Sequence, residues 1–267
     1  ILHELTKYHF YKNWHILIIS MNPKKISVLI PAFNEQDYIE NCLKPLIEIQ
    51  ENYKEKNIQI EIIVCDNNST DNTVELVKKY SPHIILVTET IKGTHAARQK
   101  AFTVSTGDII ATLDADCIAR PDWINRGLHN FENPNVVSVA GLCEFSTDYS
   151  SAWAVTGAQR YFFPPLHFFT TRIMKKGGMM LAGNSWFRRS ILEKINGFDA
   201  SFEFYGDDAH TAMEISKKKE PHEIMIYDPK LIVETSSRRY QKVGYWKTMY
   251  YYVINYLWVK IFNQNYH

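Results

Sequence analysis

The sequence predicts an α/β fold built on a mostly parallel, doubly wound sheet flanked by helices. Three observations point there. From residue 26 to about 142 apolar runs alternate with helical patterns. The runs are continuous rather than alternating, as in strands buried on both faces. They are separated by helical stretches long enough for parallel crossovers.

The elements follow in order. Ile26–Pro31 is an apolar strand ending in a turn, and the next segment sets Ile39, Cys42, Leu43, Leu46 and Ile47 on one helical face. Ile60–Cys65 is the second strand, followed by the polar turn Asp66–Asp71 and a helix aligning Val74, Val77 and Tyr80. Ile84–Val87 is a third strand, and Gly93-Thr94 opens a helix that uses Ala97, Ala101 and Val104. Ile109–Leu113 is the fourth strand, Pro121 to Phe131 a helix and Val136–Leu142 the fifth strand. After residue 143 the rhythm breaks. An aromatic, Pro-containing segment runs to residue 169, and Gly177-Gly178 marks a turn. Ser185–Phe187 reads as a short strand, with Arg188–Ile195 and Asp207–Lys218 as helices. The division expected is therefore an extension over 1–25, a first half over 26–142, a second half over 143–240 and an aromatic C-terminal helix over 241–267.

Composition narrows the function. With 30 Lys+Arg against 29 Asp+Glu in 267 residues, the chain lacks the basic excess of a nucleic-acid binder. Cys42, Cys65, Cys117 and Cys143 form no CxxC pair, which argues against a structural zinc site and for a reducing compartment. The run Ile16–Ile19 is too short for a signal-peptide core or a membrane span. Met21 precedes the first strong strand and reads as a natural start, and a chain trimmed to it is expected to fold. A cytoplasmic protein follows, with the cytoplasmic face of a membrane as its other location.

Ligands of open α/β sheets bind beyond the carboxyl ends of the strands, and acids recur there. Asn34-Glu35 follows the first strand, Asp66 the second and Asp114-Ala115-Asp116 the fourth. Asn34-Glu35 reads equally as a helix cap. The run Asp66 to Asn72 is dense in capping residues, more than one helix start uses. Two carboxylates one residue apart suit an oxygen-ligated divalent ion that also holds a diphosphate. Lys92-Gly93-Thr94-His95-Ala96-Ala97-Arg98 places cations and a Gly at a helix N-terminus, a phosphate-binding arrangement. Asp207-Asp208 at a helix start reads, taken alone, as a pair of capping acids, and His95 and His210 read as structural.

In their order, these segments resemble the family 2 glycosyltransferases, inverting enzymes of the GT-A fold. The likeness runs through Val28–Glu35, Asp66–Asp71, Lys92-Gly93 with Ala97-Arg98, and Leu113–Asp116. It continues through Gly183-Asn184, Phe187-Arg188-Arg189, Asn196–Asp199 and Gly206-Asp207-Asp208, covering roughly residues 26–235. The resemblance implies a nucleotide-sugar donor, a Mn2+ or Mg2+ cofactor and a glycan or lipid-linked acceptor, bound on the second half of the chain. It implies that Pro31, Ala32 and Glu35 line the nucleotide pocket, that Asp66 contacts the base, and that Asp114 and Ala115 lie at the ribose side of the donor. Lys92 then faces the diphosphate, Asp116 binds the metal and Asp208 is the catalytic base. Asp207 stands where the family often has Glu. The Gln-x-x-Arg-Trp signature of processive synthases is missing, with Ser237–Tyr240 nearby, so a single transfer per encounter is expected.

Two other classes compete. A nucleotidyltransferase shares the sheet, metal and acids but normally has a Gly-rich basic loop after strand one, where this chain has Ala32–Glu35. A non-catalytic relative would keep the fold without turnover. The aromatics of Tyr245–Phe262 are interrupted by Lys247, Asn255 and Lys260, so the segment does not span a membrane. It reads either as a helix packed on the domain or as an interfacial helix with Trp246 and Trp258 at headgroup depth.

Overall fold

A computed structural model of the chain describes residues 25–145, 152–201 and 207–244, together with Lys247, Tyr250 and Ile254. Met21, the residues before it, Tyr205-Gly206 and nearly all of the C-terminal aromatic stretch lie outside the described residues.

The first four strands behave as their apolar runs demand. Strands β1 (Lys25–Ala32), β2 (Gln59–Asp66), β3 (Ile84–Thr88) and β4 (Ile109–Leu113) pair in parallel in the order β3-β2-β1-β4. Side chains alternate across the pleat, so β1 packs both faces. Ile26, Val28 and Ile30 join one core with Leu43 and Leu46, while Leu29 joins a second core with Ala97 and Ala101. Helix α1 (Ile39–Lys54) covers the first face, above the short α2 (Thr73–Lys78), and α3 (Thr94–Val104) covers the other.

The remaining strands complete the same sheet. Strands β5 (Cys117–Ala119), β6 (Val136–Phe145), β7 (Asn184–Arg188) and β8 (Ile224–Thr235) extend it to eight strands, in the order β3-β2-β1-β4-β7-β6-β8-β5. Strand β7 runs antiparallel to β4 and β6, β6 pairs in parallel with β8, and β5 lies antiparallel on β8. Helix α4 (Trp123–Asn130) packs on the α1 face; α5 (Ala152–Tyr161), α6 (Phe163–Phe168) and a π-helical turn (Phe169–Ile173) follow β6. Helices α7 (Arg189–Lys194), α8 (Asp207–Lys218) and α9 (Arg238–Val243) complete the described elements.

Three expectations need correction. The helix after Asp71 ends at Lys78, so Tyr80 lies beyond it and bonds Glu40 by its hydroxyl at 2.8 Å. Val104 is exposed, and the buried face of α3 is His95, Ala96, Ala97, Arg98, Ala101 and Phe102. Strands β5 and β8 were absent from the expected set.

Asn184 holds the junction of the two halves. Fully buried, it donates to the Leu142 and Leu231 carbonyls at 3.0 and 2.8 Å and accepts from Trp123 Nε1 at 2.9 Å. Gly141 makes room, since a Cβ there would collide with the Asn184 side-chain amide. Asn184→Ala takes a hydrogen-bond partner from all three groups in the buried interior, and its unfolding free energy in urea is expected to fall by about 3 kcal/mol. A loss below about 1 kcal/mol would show that the partners find replacements.

Candidate active site

The acids named from sequence gather at the carboxyl ends of β1, β2 and β4. Asp66 ends β2 opposite Ala32 in the parallel register, is buried, and accepts the Ser69 amide at 3.2 Å. Pro31 stands opposite Cys65 one step earlier. The Asn-rich loops lock to one another rather than capping helices alone. Asn34 accepts the Thr70 amide at 2.8 Å, and Asn67 donates to the carbonyls of Glu89 and Ile91 at 2.8 and 2.7 Å. Asn34 and Asn68 adopt φ of 54° and 67°, left-handed values that Asn tolerates better than most residues. Asn67 also accepts the Gly93 amide at 2.8 Å, which ties the Lys92 loop beside Asp66. Lys92 itself is exposed, and Gly93 has φ 134°, a glycine conformation at the start of α3.

Glu35 does not cap α1. Its backbone carbonyl accepts from Tyr38 and Ile39, while its carboxylate is held by both terminal nitrogens of Arg238, one at 2.6 Å. Arg238 also reaches Asp116 Oδ2 at 3.3 Å and lies over the Tyr38 ring at 4.6 Å. The Glu35 and Asp116 carboxylates keep its guanidinium firmly charged against the cost of burial. Sequence reasoning missed this residue: its partner Glu35 lies 203 positions away, and only the passing notice of Ser237–Tyr240 touched it.

Asp114 and Asp116 follow β4, with Ala115 buried between them. Arg98, buried on α3, donates to Asp114 Oδ1 at 2.7 Å. Ligand atoms of Asp114, Asp116 and Cys117 lie within 4.8 Å of one another. Burial, and then the charges of Asp116 and Asp114, push the Cys117 thiol well up, so it stays protonated. The two carboxylates of this cluster are hard oxygen donors of the kind Mg2+ and Mn2+ prefer.

Asp208 approaches from the second half, in the first turn of α8, and accepts the Ala182 amide at 3.0 Å. The next residue, Gly183, packs on Asp114, where a Cβ would sit 2.8 Å from Oδ2. One short segment thus lies between two of the acids, and a small cleft lined by Arg98, Ala182, Ser185 and Asp208 opens beside it. His95 and His210 are both buried. His95 faces the Asp199 carbonyl at 3.2 Å and packs edge-on against Phe198, while burial lowers His210 despite nearby Asp199 and Glu214.

A model of the family described as Glycosyl transferase family 2 matches residues 27–196. The chain is similar to the glycosyltransferase AglE of Haloferax volcanii, 30% identical over 181 residues, which are 65% of this chain and 55% of that protein. It is also 29% identical over 203 residues to the probable glycosyltransferase YdaM of Bacillus subtilis, 66% of this chain and 43% of that one. The chain thus spans about half the length of these relatives. Among solved structures, the mannosyltransferase PcManGT of Pyrobaculum calidifontis, in complex with GDP-Man and Mn2+, superposes with a TM-score of 0.67 at 22% identity. That match covers 92% of this chain and 66% of the other. Glucosyl-3-phosphoglycerate synthase of Mycobacterium tuberculosis, with Mn2+ and UDP, gives 0.57 at 17% identity over 88% and 79%. Both likenesses establish the shared GT-A architecture.

Proposed function

Because the chain belongs to glycosyl transferase family 2, we propose that it moves a sugar from a nucleoside-diphosphate sugar to an acceptor hydroxyl, with inversion and one transfer per encounter. The observation that carries this reading is the convergence of Asp114 and Asp208 on the two sides of the Ala182-Gly183 segment. It brings a donor-side acid and an acid from the second half against one short segment.

In this reading residues 26–142 hold the donor and 143–240 the acceptor, a glycan or a lipid-linked sugar. Pro31, Ala32 and Glu35 line the nucleotide pocket, Asp66 receives hydrogen bonds from the base, and Asp114 with Ala115 borders the ribose. Asp116, with Asp114 beside it, holds Mn2+ or Mg2+, which supplies positive charge against the leaving diphosphate. Lys92 adds a cation from the neighbouring loop. Asp208 takes the proton of the attacking hydroxyl, which leaves the oxygen free to bond the anomeric carbon as the diphosphate departs. Proteins of the same fold in complex with GDP-Man or UDP-GlcNAc support this donor class without choosing its base.

A nucleotide-sugar panel with and without Mn2+ tests the reading by thermal shift. A matched donor at about 100 times its Kd stabilises by about 2.7 kcal/mol, or roughly 5–10 °C in a domain of this size. Stabilisation by nucleoside triphosphates alone would favour a nucleotidyltransferase. A donor that stabilises but is neither transferred nor hydrolysed would favour a non-catalytic relative.

A further inference from the structure

The segment joining β6 to the Asp208-holding turn presents an apolar surface outward. Trp153, Tyr161, Phe162, Phe168 and Ile173 are 78%, 73%, 71%, 61% and 62% exposed. Along α6 and the π-helical turn the pattern is two-faced. Phe163, His167 and Thr170 turn inward at spacings of four and three, and Phe162, Leu166, Phe169 and Ile173 form the outward stripe at spacings of four, three and four. Helical spacing of this kind marks a face made to be covered.

The surface is held firmly in place. His167 bonds the Met225 carbonyl through Nε2 at 3.0 Å and receives the Met179 amide at Nδ1 at 3.1 Å. Tyr227 of β8 donates to the Gln159 carbonyl at 2.9 Å. The exposed stripe therefore stands on an anchored helix.

Charge identifies what covers it. Residues 152–176 contain no Asp or Glu, and Arg160, Arg172, Lys175 and Lys176 are all exposed. Arg160 meets an acid from outside the segment, Glu144 at 3.6 Å. An aromatic stripe bordered by cations is complementary to the headgroup layer of an anionic bilayer, where rings insert and Lys or Arg meets lipid phosphate. A second copy of the chain fits worse, because a two-fold contact would press together two copies of a patch that carries cations and no acid.

We propose that residues 153–176 form a membrane-docking surface for an anionic lipid bilayer. The segment runs directly into Met179–Ala182, so docking holds the Asp208 cleft next to the bilayer. That consequence joins the surface to a lipid-linked acceptor and rests on the proposed transfer reaction; the docking itself does not.

The test is co-sedimentation of the full chain with phosphatidylcholine vesicles, with and without phosphatidylglycerol. Binding is expected to the mixed vesicles and to weaken with salt. The variant Phe162→Ser/Phe169→Ser/Ile173→Ser, altered only at exposed positions, should keep its Tm and lose at least about tenfold in vesicle partition. Lys175→Glu/Lys176→Glu should abolish the preference for phosphatidylglycerol. Trp246→Ala/Trp258→Ala separates the C-terminal aromatics and should bind nearly as the parent does. The proposal is overturned if the intact chain pellets with neither vesicle. It is equally overturned if the Phe and Ile substitutions leave partition unchanged, if binding disappears only with Trp246 and Trp258, or if sedimentation velocity shows a dimer that the same serine substitutions dissolve.

Discussion

Asp116→Ala is expected to lose Mn2+ affinity by more than about 100-fold, and cation-dependent donor binding with it, while unfolding near the parent's Tm. The figure exceeds the 10–100-fold typical of residues that only orient ligands, because here a charged oxygen donor would be removed outright. Asp116 lies in the turn after β4, and its nearby Asp114 carboxylate alone makes a poor site for a hard cation that favours several oxygens. The fold should stand because the ion pair of Asp116 with Arg238, at 3.3 Å, is secondary to the paired bond between Arg238 and Glu35. Arg238→Ala makes the useful comparison. It removes a positive charge from beside Asp116, so it should leave Mn2+ binding intact or tighter. Electron paramagnetic resonance of free Mn2+ reads the cation alone, and calorimetry with the stabilising donor reads the pair. Equal affinities in parent and Asp116→Ala would remove Asp116 from the metal site.

How far the sequence foretold this site depends on the range of each interaction. Strands β1, β2 and β4 were legible because both faces are buried, so the apolar runs are unbroken and the acids that end them stand out. Strand β8 was hidden. Asp228-Pro229-Lys230 interrupts its apolar pattern, and the pairing with β6 shifts register twice. Asp228 is buried in a bidentate pair with Arg126, a contact 102 positions apart that no local period encodes. Strand β5 has three residues, too few for any periodicity. Arg98 shows the same limit: its place near a helix start suited a phosphate, whereas the folded chain spends its charge on Asp114. The bond from Ala182 to Asp208 likewise belongs to the tertiary fold, and the pair Asp207-Asp208 read alone as two caps.

The same bond makes Asp208→Asn the most discriminating substitution. An amide oxygen can accept the Ala182 N–H as the carboxylate does, so the segment against Asp114 and the start of α8 should both persist. Asn is also among the residues best tolerated at helix starts. Donor and Mn2+ binding should survive, since their residues come from the first half of the chain. What an amide cannot do is take the acceptor's proton, and transfer should fall by roughly 10²–10⁴-fold at saturating substrates. The pH profile separates chemistry from positioning. A carboxylate base gives a rate that declines as acidity protonates it, and the Asn variant's residual rate should lack that limb. If Asp208 merely holds the Ala182 amide, Asn should transfer nearly as the parent does and keep the limb, while Asp208→Ala should be less stable by about 1 kcal/mol for want of that hydrogen bond. That pattern would take Asp208 out of the chemistry and make Asp207, its neighbour at the start of α8, the next acid to replace.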